Sequence, residues 1–326
     1  MKKKLILAAL CVLAIVAVIA LTRLMMHAPA ITVALQAGPA QPRVGAAEGG
    51  IDSAAIDAAV AYAGARNTHA MVIARGGHIV FEKYWDGFSA DSAVRFDELS
   101  AVIAGVLLGT ALNDRLILDI DMPLFRYLGD AAADAQTRTL RTLLTEWDAE
   151  TLAEVLERVG GQPYQVLVAE RLWKPLGNGD IAFAERKKEP RKGRADATCC
   201  IRARIGDWMR FGQLLARDGV FEANQYTPPG FVHAMLRSTR KDVPRGYFTR
   251  LDGAFATRDV AWVGGEDHQR MWLVPSLDLV ILRVGGAAGS AGWDETLIPN
   301  SIIRGTRGWQ PASSGEGADP KRFAPH

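Results

Sequence analysis

Residues 95–113 read RFDELSAVIAGVLLGTALN, an apolar segment that begins with two acids and carries glycines at Gly105 and Gly109. Leu99, Val102, Val106 and Leu107 recur at helical spacing, while Ala101, Ala104 and Gly105 leave room for another element to press close. The pattern predicts a buried central helix. Asp97 and Glu98 fall in its first turn, where unpaired backbone N–H groups and the helix dipole favour negative charge. Stability alone is a sufficient reason for both acids.

Around this helix the chain is ordinary in composition. It has 326 residues, 49% hydrophobic and 23% charged, with a formal net charge of +2. That is enough for one large or two ordinary domains with a sizeable core, and the charge gives no argument for nucleic acid. The six histidines and three cysteines form neither HExxH nor CxxC, so neither a metal nor a cofactor is expected. Cys199 and Cys200 are adjacent, a spacing that rarely permits a bridge, and the expectation is two reduced, buried side chains.

The start of the chain predicts a membrane connection. A basic Met1–Lys4 precedes an unbroken apolar run from Leu5 to Leu21, long for a signal-peptide core and at the lower limit for a span. Residues 1–30 are read as an uncleaved anchor or a cleaved signal, placing the large domain beyond them on the outer side of the membrane in the cell envelope. Ile31 to Gly50, without periodicity, suits a linker. The folded domain is assigned to 51–308, and 309–326, rich in Pro, Gly, Ser and charge, to a disordered tail.

Within the domain, Ile51–Ala65 predicts a helix capped by Asp52 or Ser53. His69–Ala74 and Ile79–Tyr84 predict a hairpin turning at Gly76-Gly77. A mostly helical stretch, about 96–240, comes next. Strands at Tyr247–Leu251, Phe255–Trp262, Arg270–Val274 and Leu279–Val284 and a helix at Trp293–Ile303 then close the chain. Ala184–Ala197, with six Lys or Arg, reads as a solvated loop or, alternatively, a contact to anionic phospholipid or peptidoglycan.

Several blocks in order resemble the serine β-lactamase and penicillin-binding-protein-like superfamily, in its class C-like esterase and 6-aminohexanoate-dimer hydrolase branch. They are HAMVIARGGHIVFEKYW (69–85), the central helix with RLILDIDMPLFRYL (115–128), TLAEVLERVGGQPYQVLVAERLWKPLG (151–177) and TCCIRARIGDWMRFGQLLARDG (198–219). The resemblance spans about residues 51 to 305. It implies an α+β, β-lactamase/transpeptidase-like fold, an antiparallel sheet flanked by helices with a mostly helical subdomain.

The same resemblance implies where a catalytic apparatus would lie, and each part departs from the pattern. In the family the central helix opens with Ser-x-x-Lys, nucleophile and activating base. Counting back from Gly109 places Glu98 at the nucleophile and Ala101 at the lysine; sliding the register to Ser100 puts Ile103 there instead. The family's Tyr-x-Asn is missing, because Thr145 runs almost directly into Asp148. A third motif, on an edge strand that faces the substrate carbonyl, becomes Gly264-Gly265-Glu266-Asp267-His268-Gln269, with His268 in place of a glycine.

These departures favour a catalytically degenerate domain that binds a cell-wall fragment or an envelope protein. The alternative is an esterase or amidase with a different nucleophile. Ser100 is the fallback, although side chains two apart on a helix point about 200° apart, so Glu98 cannot easily serve it as base. Ser238-Thr239-Arg240-Lys241 matches Ser-x-x-Lys but is read as chance. Glu98 with Glu266 or Asp267 could do acid–base work in a shared pocket. Glu98, Ser100, Asp148, His268 and Gln269 are the ligand-pocket candidates.

Overall fold

The computed structural model describes residues 30–129, 134–187, 189, 191–237, 245–287 and 291–310. The apolar run Leu5–Leu21, the Ser238–Lys241 motif and the tail beyond 310 lie outside the described residues. Among the described residues no helix is long and apolar enough to cross a membrane.

The chain folds as a five-stranded antiparallel sheet with helices on both faces. Its strands are β2 (Thr68–Arg75), β3 (His78–Tyr84), β9 (Ala261–Gly264), β10 (Arg270–Val274) and β11 (Leu279–Gly285), ordered β3-β2-β11-β10-β9. Successive side chains of a strand face opposite sides of its sheet. Accordingly Val72, Leu273 and Leu282 join one apolar cluster, whereas Ile73, Trp272 and Ile281 join the other. Both faces are covered, which is why these strands read as continuous apolar runs and not as alternating ones.

One face carries α1 (Ser53–Gly64) and the closing helix α9 (Leu297–Arg304). Asp52 caps α1, its carboxylate accepting from the Ala54 N–H at 3.0 Å. On the opposite face lie α7 (Ile205–Ala216) and the central helix α2 (Asp97–Asn113). Twelve residues of α2 are buried, including Gly105 and Gly109, so it is apolar all round as a core helix must be. Met235 and Phe248 press on Gly105, and Thr227 and Phe231 on Gly109.

The helical subdomain packs around α2 through α3 (Phe125–Leu128), α4 (Leu140–Glu146), α5 (Ala149–Gly160) and α6 (Tyr164–Val168). A second sheet, β1-β5-β6-β4, is formed by β1 (Ala30–Val33), β4 (Ala93–Phe96), β5 (Ile181–Ala184) and β6 (Ile201–Arg204). β4 leads directly into α2, and its pairing with β6 sets Phe96 opposite Ile201. Beyond α7 a short ribbon, β7 (Val220–Phe221) with β8 (Asn224–Gln225), turns the chain into α8 (Phe231–Met235).

Four expectations need correction. The 31–50 segment is not a free linker: β1 pairs with β5, Gly38 donates to the Gly177 carbonyl at 2.9 Å, and Arg43 bridges to Ile79. Backbone pairing needs no apolar periodicity, so the sequence does not advertise it. Tyr247–Leu251 is not a strand and β9 is shorter than expected, because Phe248 takes φ 59° and Gly253 φ 143°. Only isolated bridges, Arg250 with Arg245 and with Trp262, remain. The last helix starts at Leu297, because the Asp294 side chain accepts from the Thr296 N–H and hydroxyl, both at 2.8 Å, and holds that stretch as a turn. The basic loop is partly an internal ion-pair network: Arg191 is only 4% exposed and meets Glu150 at 2.6 Å and Glu157 at 3.3 Å on α5.

Candidate functional site

The first turn of α2 lies beside the edge strand β9, and Glu98 joins the two. Its carboxylate accepts from the Arg250 guanidinium through two nitrogens, at 2.6 and 3.2 Å, and from the Gly264 N–H at 3.1 Å. The position at which the family resemblance places a nucleophile is therefore filled by a salt bridge. Partial burial disfavours the charge of Glu98, yet the Arg250 guanidinium and the Gly264 N–H outweigh it and hold the carboxyl below its ordinary value. In turn the hydrogen bond to Glu98, opposed by burial, raises the Arg250 guanidinium above its ordinary value. The carboxylate is ionised and has no proton to give near neutral pH. Glu98 and Arg250 remain 31% and 30% exposed, so the pair is within reach of solvent.

Arg250 is brought here by the irregular 245–253 stretch and stands between two indoles. Its guanidinium carbon is 5.6 Å from the Trp147 ring and 5.3 Å from the Trp262 ring. Arg245 covers Trp147 at 5.0 Å and Arg270 covers Trp262 at 4.9 Å. Each indole is also fixed through its nitrogen, Trp147 donating to the Gly246 carbonyl at 3.1 Å and Trp262 to that of Asp252 at 2.9 Å. Trp147 owes its position to the shortened connection. α4 stops at Glu146, Trp147 takes the left-handed conformation at φ 60°, and Asp148 caps α5. The short joint thus places an indole beside the Arg250 guanidinium.

The 264–269 turn is clamped from beneath. Arg283 is fully buried and donates to the carbonyls of Asp267 and His268 at 2.8 and 2.9 Å and to the Thr68 hydroxyl at 3.0 Å. Burial, reinforced by the charge of Arg270, pushes its guanidinium down to about 10. Arg270 donates twice to Glu295, at 2.8 and 2.5 Å, and reaches the carbonyls of Gly265 and Gln269.

The sequence candidates separate accordingly. Glu98 is in the site. Ser100 is not: it is wholly buried, its hydroxyl donating to the Phe96 carbonyl at 3.2 Å and accepting from the Ile201 N–H at 3.1 Å. It fastens α2 to β6 and offers no nucleophile to solvent. Asp148 caps α5 by accepting from the Thr151 N–H at 3.0 Å and pairs with Arg138, so it too leaves the candidate set. His268 stacks on Trp293 with ring centres 4.8 Å apart, and its Nδ1 lies 3.8 Å from Glu295. Burial, with the charge of Arg270, lowers its pKa below the ordinary imidazole value. Gln269 borders the site, separated from the start of α2 by Gly265. Asp267 is exposed, and its role is structural, its carbonyl accepting from Arg283. The side chain of Glu266 lies outside the described residues.

Sequence reasoning missed Arg250, Trp147, Trp262 and Arg245. A signal existed for Arg250 alone: a glutamate at the head of a core helix calls for a cation, though not for one 152 positions away. The cysteine expectation also needs correction. Cys199 and Cys200 are joined as a disulfide with Cα atoms 3.7 Å apart. Cys200 at φ 72° turns the two side chains to the same side, which the extended backbone of most neighbours would not. The pair is half-buried, not sealed in the core.

No protein-family model matches the sequence, and no curated protein matches it. Solved structures do. The chain resembles a Bacillus anthracis protein named provisionally as a 6-aminohexanoate-dimer hydrolase, at 16% identity over 73% of this chain and 76% of that one, TM-score 0.57. It resembles a β-lactamase from Mycobacterium bovis at 13% identity over 76% and 97%, TM-score 0.56. It also resembles a penicillin-binding-protein homologue from Caulobacter crescentus at 13% identity over 78% and 96%, TM-score 0.58. The likeness is one of fold: the chain has the serine β-lactamase and penicillin-binding-protein-like fold, an antiparallel sheet flanked by helices.

Proposed function

We propose that this domain is a catalytically degenerate member of that hydrolase superfamily, and that it binds a ligand or partner through what remains of the cleft without turning it over. The observation that carries the reading is the Glu98 carboxylate held by Arg250 and the Gly264 N–H, where acyl transfer would need a nucleophile. Removing a nucleophile alone costs on the order of 10⁶ in turnover in a serine hydrolase. Here Ala101 supplies no base, Ser100 is sealed, and Trp147 occupies the shortened joint.

The ligand class follows from the same groups. An incoming carboxylate can exchange with Glu98 for the Arg250 guanidinium, while Trp147 and Arg245 offer an aromatic face and a second cation beside it. A peptide-bearing cell-wall fragment has both the carboxylate and the bulk. The apolar Leu5–Leu21 run behind a basic start supports an anchored or exported domain on the envelope side of the membrane, where such a fragment is found.

Intact-mass spectrometry of the full chain in detergent, after incubation with a fluorophosphonate and separately with a penicillin, tests the first half. The expected result is unmodified protein; a stoichiometric adduct would establish the alternative, an esterase or amidase with its own nucleophile. Titration with soluble peptidoglycan fragments, followed by tryptophan fluorescence, tests the second. A saturable change abolished in Arg250→Ala is expected, and an unchanged signal would exclude that ligand class.

A further inference from the structure

We infer that the segment ahead of β6 is a redox-gated site for a thiophilic cation, built from Cys199, Cys200 and Asp97. One ligand atom from each of the three lies within 4.8 Å of the other two. A tetrahedral ion with bonds of about 2.3 Å to sulfur and 2.0–2.2 Å to oxygen spaces its ligand atoms by roughly 3.5–3.8 Å. Small side-chain rotations therefore reach the required geometry once the sulfurs are free to separate. The left-handed backbone at Cys200 already directs both sulfurs to one side. Two thiolates and a carboxylate suit zinc or cadmium in preference to magnesium or calcium. They leave the fourth position to water or to a donor from a ligand, as in open and not in closed zinc sites.

The gate is the disulfide. A dithiol reductant attacks one sulfur of the pair, forming a mixed disulfide and freeing the other cysteine. The reductant's second thiol resolves that bond, so two electrons and two protons pass to Cys199 and Cys200 while the reductant becomes its own disulfide. Cation binding then expels the two thiol protons. Both cysteines and Asp97 are half-buried, within reach of such a reagent. In the oxidised protein Asp97 is held by Arg95, at 2.5 and 3.0 Å. Metal capture moves the carboxylate from a guanidinium to the ion.

The site is placed to report on the cleft. Asp97 is the first residue of α2 and adjoins Glu98. Cys200 precedes Ile201, whose N–H donates to the Ser100 hydroxyl at 3.1 Å. A change of state at the cysteine pair therefore reaches the first turn of the central helix from both sides. The cysteine spacing conceals the site, because Asp97 comes from a sequence-distant strand–helix junction.

The test uses the full chain in detergent, oxidised or reduced with a dithiol that is then removed anaerobically, and titrated with Cd²⁺. Equilibrium dialysis gives the stoichiometry, and the ultraviolet thiolate-to-cadmium band reports the ligands. One Cd²⁺ per reduced chain and none at the oxidised pair is the expected result. Cys11 is common to both forms, so the difference belongs to Cys199 and Cys200. Asp97→Asn should weaken the reduced site about tenfold or more, as loss of even an outer partner does. Equal uptake by the two redox forms, or reduced Asp97→Asn binding as tightly as the parent, would overturn the assignment. Because both forms are the same polypeptide, a folding failure in a variant cannot mimic the redox result.

Discussion

The Glu98–Arg250 bridge can be weighed by a double-mutant cycle. Fully exposed ion pairs couple by about 0.2–1 kcal/mol. Breaking a fully buried pair costs about 3–5 kcal/mol, much of it the penalty of the stranded charge. With 31% and 30% of the two side chains exposed, the pair lies between these limits. Its two-nitrogen geometry favours the upper part of the range and solvent screening the lower. We therefore expect a coupling of about 1–2 kcal/mol between Glu98→Ala and Arg250→Ala, read from urea unfolding followed by tryptophan fluorescence. Glu98→Gln should lose less than Glu98→Ala, because its amide oxygen can still accept from the Gly264 N–H now 3.1 Å away. Raising salt to 1 M, where the screening length is about 3 Å, should reduce the coupling only in part, since the shortest contact is 2.6 Å. A coupling below about 0.3 kcal/mol would show that the carboxylate is not held as described. The claim that the nucleophile position is occupied would then fail.

Three further outcomes follow from the same packing. Because the Glu98 carboxyl is held below its ordinary value, its stabilising contribution is complete above the unfolded value of about 4.3 and is lost as pH falls through the lower folded one. Acid titration of stability should show a shallower fall in that window for Glu98→Gln, and identical curves would contradict the assigned direction. Ser100→Ala should cost about 1–3 kcal/mol by stranding the buried Ile201 N–H, an equal melting temperature being the result that would refute it; were the parent labelled by the fluorophosphonate, loss of that label in Ser100→Ala would make Ser100 the nucleophile. Gly109→Ala should destabilise by about 1–3 kcal/mol, because a new Cβ would lie 2.6 Å from the Thr227 methyl and 2.8 Å from the Phe231 ring. Gly105→Ala should cost less, its closest neighbour being the far end of the unbranched Met235 side chain at 2.7 Å, and equal melting shifts would refute this contrast.

Local pattern and long-range geometry were unequally legible in the sequence. The hairpin, the capped α1 and the central helix each announce themselves, since a turn, a cap or a two-sided apolar run is written within a few neighbouring residues. β1 does not, because a short strand pairing through its backbone needs no particular side chains, and so its segment reads as a linker. Arg250 was hidden for a related reason: positive φ at Phe248 breaks the strand that the sequence suggests and redirects the next side chains into the cleft.

The fold nevertheless accommodates a glutamate at position 98. A helix N-terminus beside an edge strand concentrates the positive ends of backbone dipoles, an arrangement that stabilises developing oxyanions in acyl-transfer sites. The same field favours a permanent anion. A glutamate at position 98 can satisfy the Gly264 N–H and the helix dipole together, provided that a cation balances its desolvation. Arg250 meets that need, and the indoles of Trp147 and Trp262 hold it there. Neutralising Glu98 should consequently unsettle Arg250 and, through it, both tryptophans.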